Sequence, residues 1–222
     1  GIAEIHLKRY LNAIESFNQV LTFIPNYAPA FFHKGLALYS AGMFKEAVLA
    51  FNITLELDPK SSKAAYYKGM AFAGADDHPA AIAAFEESLT LDSRNEESYY
   101  YKGISHAELS QHEEAIRAFD AALSLNPGYT DALYHKGLSL AETGSYAEAV
   151  DALTTVLEKN PRLANGWIIR GICLASLERF QDALLSYTNA LEIESDNPHT
   201  WYYKGRAHLA LANPEEAGTA FE

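Results

Sequence analysis

Hydrophobic residues along this chain follow a helical spacing that is interrupted at regular intervals. Between residues 28 and 41, large apolar side chains recur on one broad face, at Phe31, Phe32, Leu36 and Leu38. Gly42 follows, a residue that favours a helix end. A second apolar stripe runs from residue 44 to residue 57 and stops before Pro59, because proline disfavours helical geometry in the residue that precedes it. The pattern predicts two helices joined by a short turn.

This hairpin pattern repeats along the whole chain with a period of 34 residues. A glycine marks each period, at Gly35, Gly69, Gly103, Gly137, Gly171 and Gly205. An alanine follows each glycine by twelve positions, at Ala47, Ala81, Ala115, Ala149, Ala183 and Ala217. A large apolar or aromatic residue follows by sixteen, at Phe51, Phe85, Phe119, Leu153, Tyr187 and Phe221. A fixed period of this length is typical of stacked-repeat proteins. We expect the glycine and the alanine to lie where the two helices cross.

The period divides the chain into one continuous array. Five full repeats span residues 28–61, 62–95, 96–129, 130–163 and 164–197. Partial repeats occupy residues 1–27 and 198–222. Because natural arrays usually end in polar capping repeats and neither end shows one, we expect the array to continue beyond this sequence.

The repeated residues resemble the tetratricopeptide repeat (TPR), whose pattern is W-x2-L-G-x2-Y, A-x3-F and a final proline. Trp167 with Gly171, Ala47 with Phe51, and Pro59 are examples of the match. A lysine or arginine stands before each glycine, where the family usually has leucine, so this is a Lys-Gly variant of the repeat. The resemblance implies an all-α fold, a right-handed superhelical solenoid of antiparallel helix–turn–helix repeats. It also implies a non-catalytic scaffold that binds protein or peptide segments in a concave groove.

In proteins of this family the groove is lined by first-helix positions near the glycine. The resemblance therefore implies a groove that is rich in aromatic and apolar side chains and in tyrosine hydroxyls. From three of these positions we select as groove residues Phe32, His33, Leu36, Tyr66, Tyr67, Met70, Tyr100, Tyr101, Ile104, Tyr134, His135, Leu138, Tyr202 and Tyr203. We expect the centre of the contact surface at Tyr66, Tyr67, Tyr100, Tyr101, Tyr134 and His135. An alternative is that these rings stack on one another between repeats.

Charge limits the choice of partner. The chain carries 29 acidic residues against 17 lysines and arginines, a net charge of −12, which argues against nucleic acid or an anionic membrane as the main partner. Acidic residues gather near the middle of the predicted groove, at Glu96, Glu97, Glu108, Asp131 and Glu142. We therefore expect the ligand to carry lysine or arginine beside its apolar side chains. Chaperone-adaptor TPR proteins bind a C-terminal carboxylate through lysines and asparagines, and the corresponding positions here are not of that kind.

The sequence offers no constellation of catalytic residues, so we expect no enzyme activity, no cofactor and no metal. None of the eight histidines forms a close ligand pair on a helix. Cys173, the only cysteine, occupies a position where other repeats have small residues, so we interpret it as a packing residue. The sequence has no recognisable signal peptide and no long apolar run, and we expect a cytoplasmic protein.

Three further interpretations stay open. The row of cations before the glycines either binds an acidic partner or covers the hairpin core with its aliphatic stems. Apolar faces at the two ends of the array could stack head to tail, giving end-to-end self-association. The array could also serve as the docking arm of an enzyme whose catalytic domain lies outside this sequence.

Overall fold

A computed structural model describes residues 1–222 and contains only helices and their connections. The helices in the first half of the chain are α1 (Ile2–His6), α2 (Tyr10–Phe23), α3 (Ala28–Ser40), α4 (Phe44–Leu57), α5 (Ser62–Gly74), α6 (His78–Leu91) and α7 (Glu96–Glu108). Those in the second half are α8 (His112–Leu125), α9 (Thr130–Glu142), α10 (Tyr146–Lys159), α11 (Ala164–Ser176), α12 (Phe180–Ile193), α13 (Pro198–Ala210) and α14 (Pro214–Phe221). The predicted all-α fold is confirmed, and α3 and α4 are the two helices predicted from the apolar spacing.

The chain forms two compact units, Gly1–Glu114 and Ala115–Glu222. In the first unit every helix from α2 to α7 packs on the helix before it, and α5 also contacts α3 and α7. In the second unit the same holds from α10 to α14, with α11 also contacting α9 and α13. Odd-numbered helices are the first helices of the repeats and even-numbered helices are the second. Each unit is therefore a stack of helix hairpins.

The repeat glycines leave room for a ring of the second helix. A Cβ atom on Gly69 would lie 2.7 Å from the Phe85 ring, and one on Gly35 would lie 2.6 Å from the Phe51 ring. Both distances are far below the roughly 3.5–4.0 Å at which carbon atoms pack favourably. Phe51 and Phe85 are fully buried. The glycine therefore lets the second helix insert its ring against the backbone of the first, as expected for a helix crossing.

The turn between the two helices places one residue per repeat in the left-handed region. This residue always stands seven positions after the repeat glycine. The residues are Lys8, Gly42, Asp76, Ser110, Gly144, Glu178 and Ala212, with φ between 56° and 79°. The next amide then reaches back to a carbonyl five residues earlier, as in the hydrogen bond of 2.9 Å from Arg179 N to Leu174 O. This geometry is the Schellman helix end, in which glycine is the favoured residue. Only Gly42 and Gly144 satisfy that preference.

Candidate functional site

All fourteen residues of the predicted groove lie on first helices. They belong to α3, α5 and α7 in the first unit and to α9 and α13 in the second. None of these side chains is buried, and Tyr202 is 51% exposed. A surface of partly exposed rings and aliphatic side chains is typical of a recognition site. Whether a partner contacts them stays a prediction.

The rings two positions before each glycine stack on the second helix of the preceding repeat. In the first unit, Tyr67 stacks on Phe51 with ring centroids 6.0 Å apart, and Tyr101 stacks on Phe85 at 6.3 Å. His33 lies over Phe17 in the same way at 5.8 Å. These rings therefore connect successive repeats as well as facing outward.

The second unit uses the same contact. His135 stacks on Phe119 at 6.1 Å, and Tyr203 stacks on Tyr187 at 5.9 Å. Tyr187 is only 1% exposed, so the stacked ring closes off the core beneath it. Burial also raises the pKa of the Tyr187 hydroxyl, and the phenol stays neutral across the physiological range.

The rings three positions before each glycine pack beside these stacked rings. Tyr66 meets Tyr67 edge to face at 5.0 Å and also contacts Phe85 of its own repeat and Tyr101 of the next, each at 6.1 Å. Stacking between repeats, the alternative drawn from the sequence, therefore describes how these rings are held. The same rings are also partly exposed, so stacking and a recognition role are compatible.

The position one after each glycine has a different character. Leu36, Met70, Ile104 and Leu138 are aliphatic or thioether side chains and are half-buried. These side chains take no part in the ring stacking, so their exposed parts offer contact area for a ligand. In α13 this position holds Arg206, which is exposed. Arg206 was not among the groove residues selected from the sequence.

A cleft of about 380 Å³ opens on the first-helix face of the second unit. Its walls come from α11 and α13, through Ile172, Tyr203 and Arg206, and Phe180 and Tyr187 of α12 close its base. Ala175, Ser176 and Ala210, at four and five positions after their glycines, also line it. Phe180 was missed because second-helix residues were not considered for the groove.

Several of the cations before the glycines pair with side chains of neighbouring second helices. Lys102 Nζ pairs with Glu86 Oε1 at 2.7 Å and Lys136 Nζ with Asp120 Oδ1 at 2.5 Å. In both pairs the acid belongs to the preceding second helix, sixteen residues earlier. These lysines are engaged in the hairpin packing, as the stem-covering interpretation expects.

Arg170 extends this arrangement with neutral partners. Its Nε donates to Thr154 Oγ1 at 2.9 Å and its Nη1 donates to Ser186 Oγ at 2.7 Å. The guanidinium therefore bridges α10 and α12, on either side of α11. Burial lowers the pKa of Arg170, while the nearby Asp182 carboxylate raises it.

Other candidate chemistry is accounted for by packing. No group of three or more His, Cys, Asp or Glu side chains is arranged to bind a metal ion. Cys173 is fully buried among core residues, and burial raises the pKa of its thiol to about 11. This confirms its packing position and makes the thiolate nucleophile scarce at neutral pH. No helix combines the length and apolar character needed to cross a membrane.

The fold is shared with several solved structures. One is YrrB, described as a TPR protein with an unusual peptide-binding site, at 24% identity and a TM-score of 0.74, with 91% of this chain and 99% of that chain covered. A second is MamA, at 24% identity and a TM-score of 0.69, covering 72% of this chain and 94% of that one. A third is a tetratricopeptide repeat protein from Parabacteroides merdae, at 16% identity and a TM-score of 0.72, covering 99% and 87%.

No curated protein sequence is similar enough to this chain to count as a relative. The tetratricopeptide repeat family model matches residues 32–96, 100–164, 145–198 and 170–222, which is most of the sequence. Together with the helix hairpins and the repeat glycines, this match shows that the chain belongs to the tetratricopeptide repeat family.

Proposed function

We propose that this chain is a non-catalytic scaffold that binds a protein or peptide segment on the exposed face of its first helices. The observation that carries the proposal is the partial exposure of every predicted groove residue, which leaves aromatic and apolar side chains of the first helices accessible to a ligand. YrrB, which has a peptide-binding site, shares this fold and supports the assignment of the class.

The ligand we propose presents apolar or aromatic side chains together with lysine or arginine. Glu97 and Glu108 on α7 are exposed, as are Asp131 and Glu142 on α9. Exposed acids beside an apolar surface favour basic ligands and speed their association. They also disfavour acidic competitors at the same positions, which adds selectivity.

The test requires a variant that changes the groove without removing the stacked rings. Replacing tyrosines by alanine would confuse binding with stability, since Tyr67 and Tyr101 stack on buried rings. Met70→Arg avoids this problem because Met70 is not one of the stacked rings and an arginine stem can lie along apolar surface while its charge reaches water. Leu49→Arg is the matched control, since Leu49 is 63% exposed on the second helix α4.

A phage-displayed library of random peptides would be selected on the wild-type chain, and the enriched peptides would be measured by fluorescence anisotropy. We expect Met70→Arg to weaken binding of groove peptides by about tenfold or more, while Leu49→Arg leaves it unchanged. Equal loss in both variants would show that added charge acts from any position. Equal binding by both would place the site away from the first-helix surface around Met70.

Self-association is a second candidate, and exposed apolar side chains favour it. Phe23 is 85% exposed and Leu11 is 71% exposed, both on α2. Exposed apolar surface of this kind promotes association between copies. We expect the mass measured by light scattering to rise with concentration, and Leu11→Glu with Phe23→Glu to suppress that rise. A concentration-independent monomer mass would exclude this function.

A further inference from the structure

The cleft on the first-helix face of the second unit combines an apolar interior with one exposed cation. Its base is the buried ring of Tyr187, and its walls include Ile172 and Ala210. A volume of about 380 Å³ lies within the range of small ligand pockets and accommodates a side chain of a bound segment.

Arg206 stands where the other repeats have an apolar side chain. The corresponding residues are Leu36, Met70, Ile104, Leu138 and Ile172. The α13 repeat therefore departs from the pattern at a groove position. A departure that introduces a charge is not needed for hairpin packing, because five other repeats form hairpins with an apolar residue there.

The Arg206 side chain lines the cleft and is exposed. Its guanidinium carbon lies 5.8 Å from the centroid of the Tyr202 ring, an arrangement that fixes the cation without neutralising it. Arg179, by contrast, forms an ion pair of 2.7 Å with Asp182. Burial raises the pKa of the Tyr187 hydroxyl, and the charge of Arg206 acts in the opposite direction.

We propose that this cleft binds a partner segment in which an apolar side chain stands next to an aspartate or glutamate. The apolar side chain enters between Ile172 and Ala210, and the carboxylate pairs with Arg206. This inference rests on the proposed function and adds a charge preference at one place in the groove. Within the second unit, basic ligand residues would face the acids of α9, and the acidic residue would face α13.

A side-chain carboxylate fits better here than a chain-terminal carboxylate. A terminal carboxylate held in a groove needs several donors, and Arg206 is the one cation that lines this cleft. Because Arg206 is exposed, the carboxylate of an internal aspartate or glutamate can stay partly hydrated while it pairs. The chain passes across the cleft on either side of that residue.

The experiment repeats the phage-displayed peptide selection on three forms of the chain: wild type, Arg206→Glu and Arg162→Glu. Arg162 is exposed in the turn after α10 and lies outside the cleft, so its reversal makes the same change in net charge. Wild type and Arg162→Glu should both enrich an apolar residue next to aspartate or glutamate. Arg206→Glu should enrich lysine or arginine at that place instead.

A synthetic copy of an enriched peptide, and its version with asparagine for aspartate, would then be measured by anisotropy. Arg206→Glu should weaken the acidic peptide about five- to tenfold, as expected for loss of a partly exposed charge-assisted pair. The asparagine version should bind wild type and Arg206→Glu equally. Thermal unfolding followed by circular dichroism confirms that each variant is folded.

The outcomes separate this inference from the proposed function. Enriched peptides that lack an acidic preference, or that bind Arg206→Glu as tightly as wild type, overturn the role of Arg206. If such peptides still lose binding to Met70→Arg, the scaffold function stands without it. If no peptide is enriched on any folded form, both proposals are overturned.

Discussion

The left-handed residue in each hairpin turn makes a prediction about stability that two reciprocal substitutions can test. Glu178 has φ of 58° in the turn between α11 and α12, whereas Gly144 has φ of 79° in the turn between α9 and α10. A residue with a Cβ atom is disfavoured in this region by roughly 1–2 kcal/mol. Glycine at the same place lowers the free energy of unfolding by about 0.4–1 kcal/mol, because it increases the conformational entropy of the unfolded chain.

The difference between these two free energies sets the expected change in stability. Glu178→Gly should stabilise the second unit by about 0.5–1 kcal/mol, and Gly144→Ala should destabilise it by a similar amount. Glu178 also places a negative charge at the end of a helix, where it is unfavourable by a few tenths of a kcal/mol. Glu178→Gln removes that charge and keeps the Cβ atom, so the difference between glycine and glutamine isolates the backbone contribution.

The chain provides its own probe for this measurement. Its two tryptophans, Trp167 and Trp201, both lie in the second unit, as do the two substituted turns. Urea unfolding followed by tryptophan fluorescence therefore reports on the unit that carries the changes. With a slope of roughly 2 kcal/mol per molar urea, the midpoints should move by about 0.3 M in opposite directions.

A backbone penalty in this turn would be refuted if Glu178→Gly were no more stable than Glu178→Gln while Gly144→Ala stayed neutral. That pair of results would mean that the turn relaxes to a right-handed conformation at no cost. A loss of stability in Glu178→Gly alone would instead point to a contact of the glutamate side chain that offsets its backbone strain.

Three further predictions concern the core. Gly69→Ala should lower the free energy of unfolding by about 1–2 kcal/mol, because its Cβ atom would meet the buried Phe85 ring. Gly218→Ala, with nothing within 4 Å of its Cβ atom, should be neutral or stabilising. Urea unfolding followed by circular dichroism measures both. Arg170→Lys should lower the free energy of unfolding by about 1–2 kcal/mol, because an ammonium cannot keep both hydroxyl partners of the guanidinium. An unchanged urea midpoint would show that the bridge between α10 and α12 is dispensable. Cys173 should resist thiol reagents until the chain unfolds. Since the pKa of its thiol is raised by burial to about 11, its contribution to stability should fall as pH rises from about 9 toward 11, and rapid labelling of the folded chain at neutral pH would contradict this.

Most of the fold was predictable because the sequence repeats its structural positions. The bounds of α4 agree with the apolar stripe from residue 44 to residue 57, since Asp58-Pro59 ends the helix. A helix end was predicted at Gly42, but its left-handed conformation was not. At Lys8 and Glu178 the same conformation is imposed by the packing of the hairpin, and residue type gave no signal. Tertiary contacts decided those turns.

The sequence predicted which helices carry the candidate site residues, but not the contacts that these residues make. The sequence placed the tyrosine pairs on first helices and left two interpretations, a binding groove or stacking between repeats. Distances such as 6.0 Å between Tyr67 and Phe51 cannot be read from spacing, because they depend on how far one hairpin is displaced along the next. Arg206 carried a usable signal, a cation in an otherwise apolar series, which the search for aromatic residues passed over.

On this surface, the residues that recur in every repeat are therefore not the ones that would give specificity for a ligand. A ring that recurs in successive repeats, such as Tyr67 or Tyr101, stacks on a buried ring in each one, so selection for a stable array is enough to maintain it. A stacked ring also holds a fixed place, which lowers the entropic cost of presenting it to a ligand. A ladder of similar rings cannot by itself distinguish one register of a bound segment from another. That distinction must come from positions that break the repeat, and Arg206 is such a position in a groove series that is otherwise apolar.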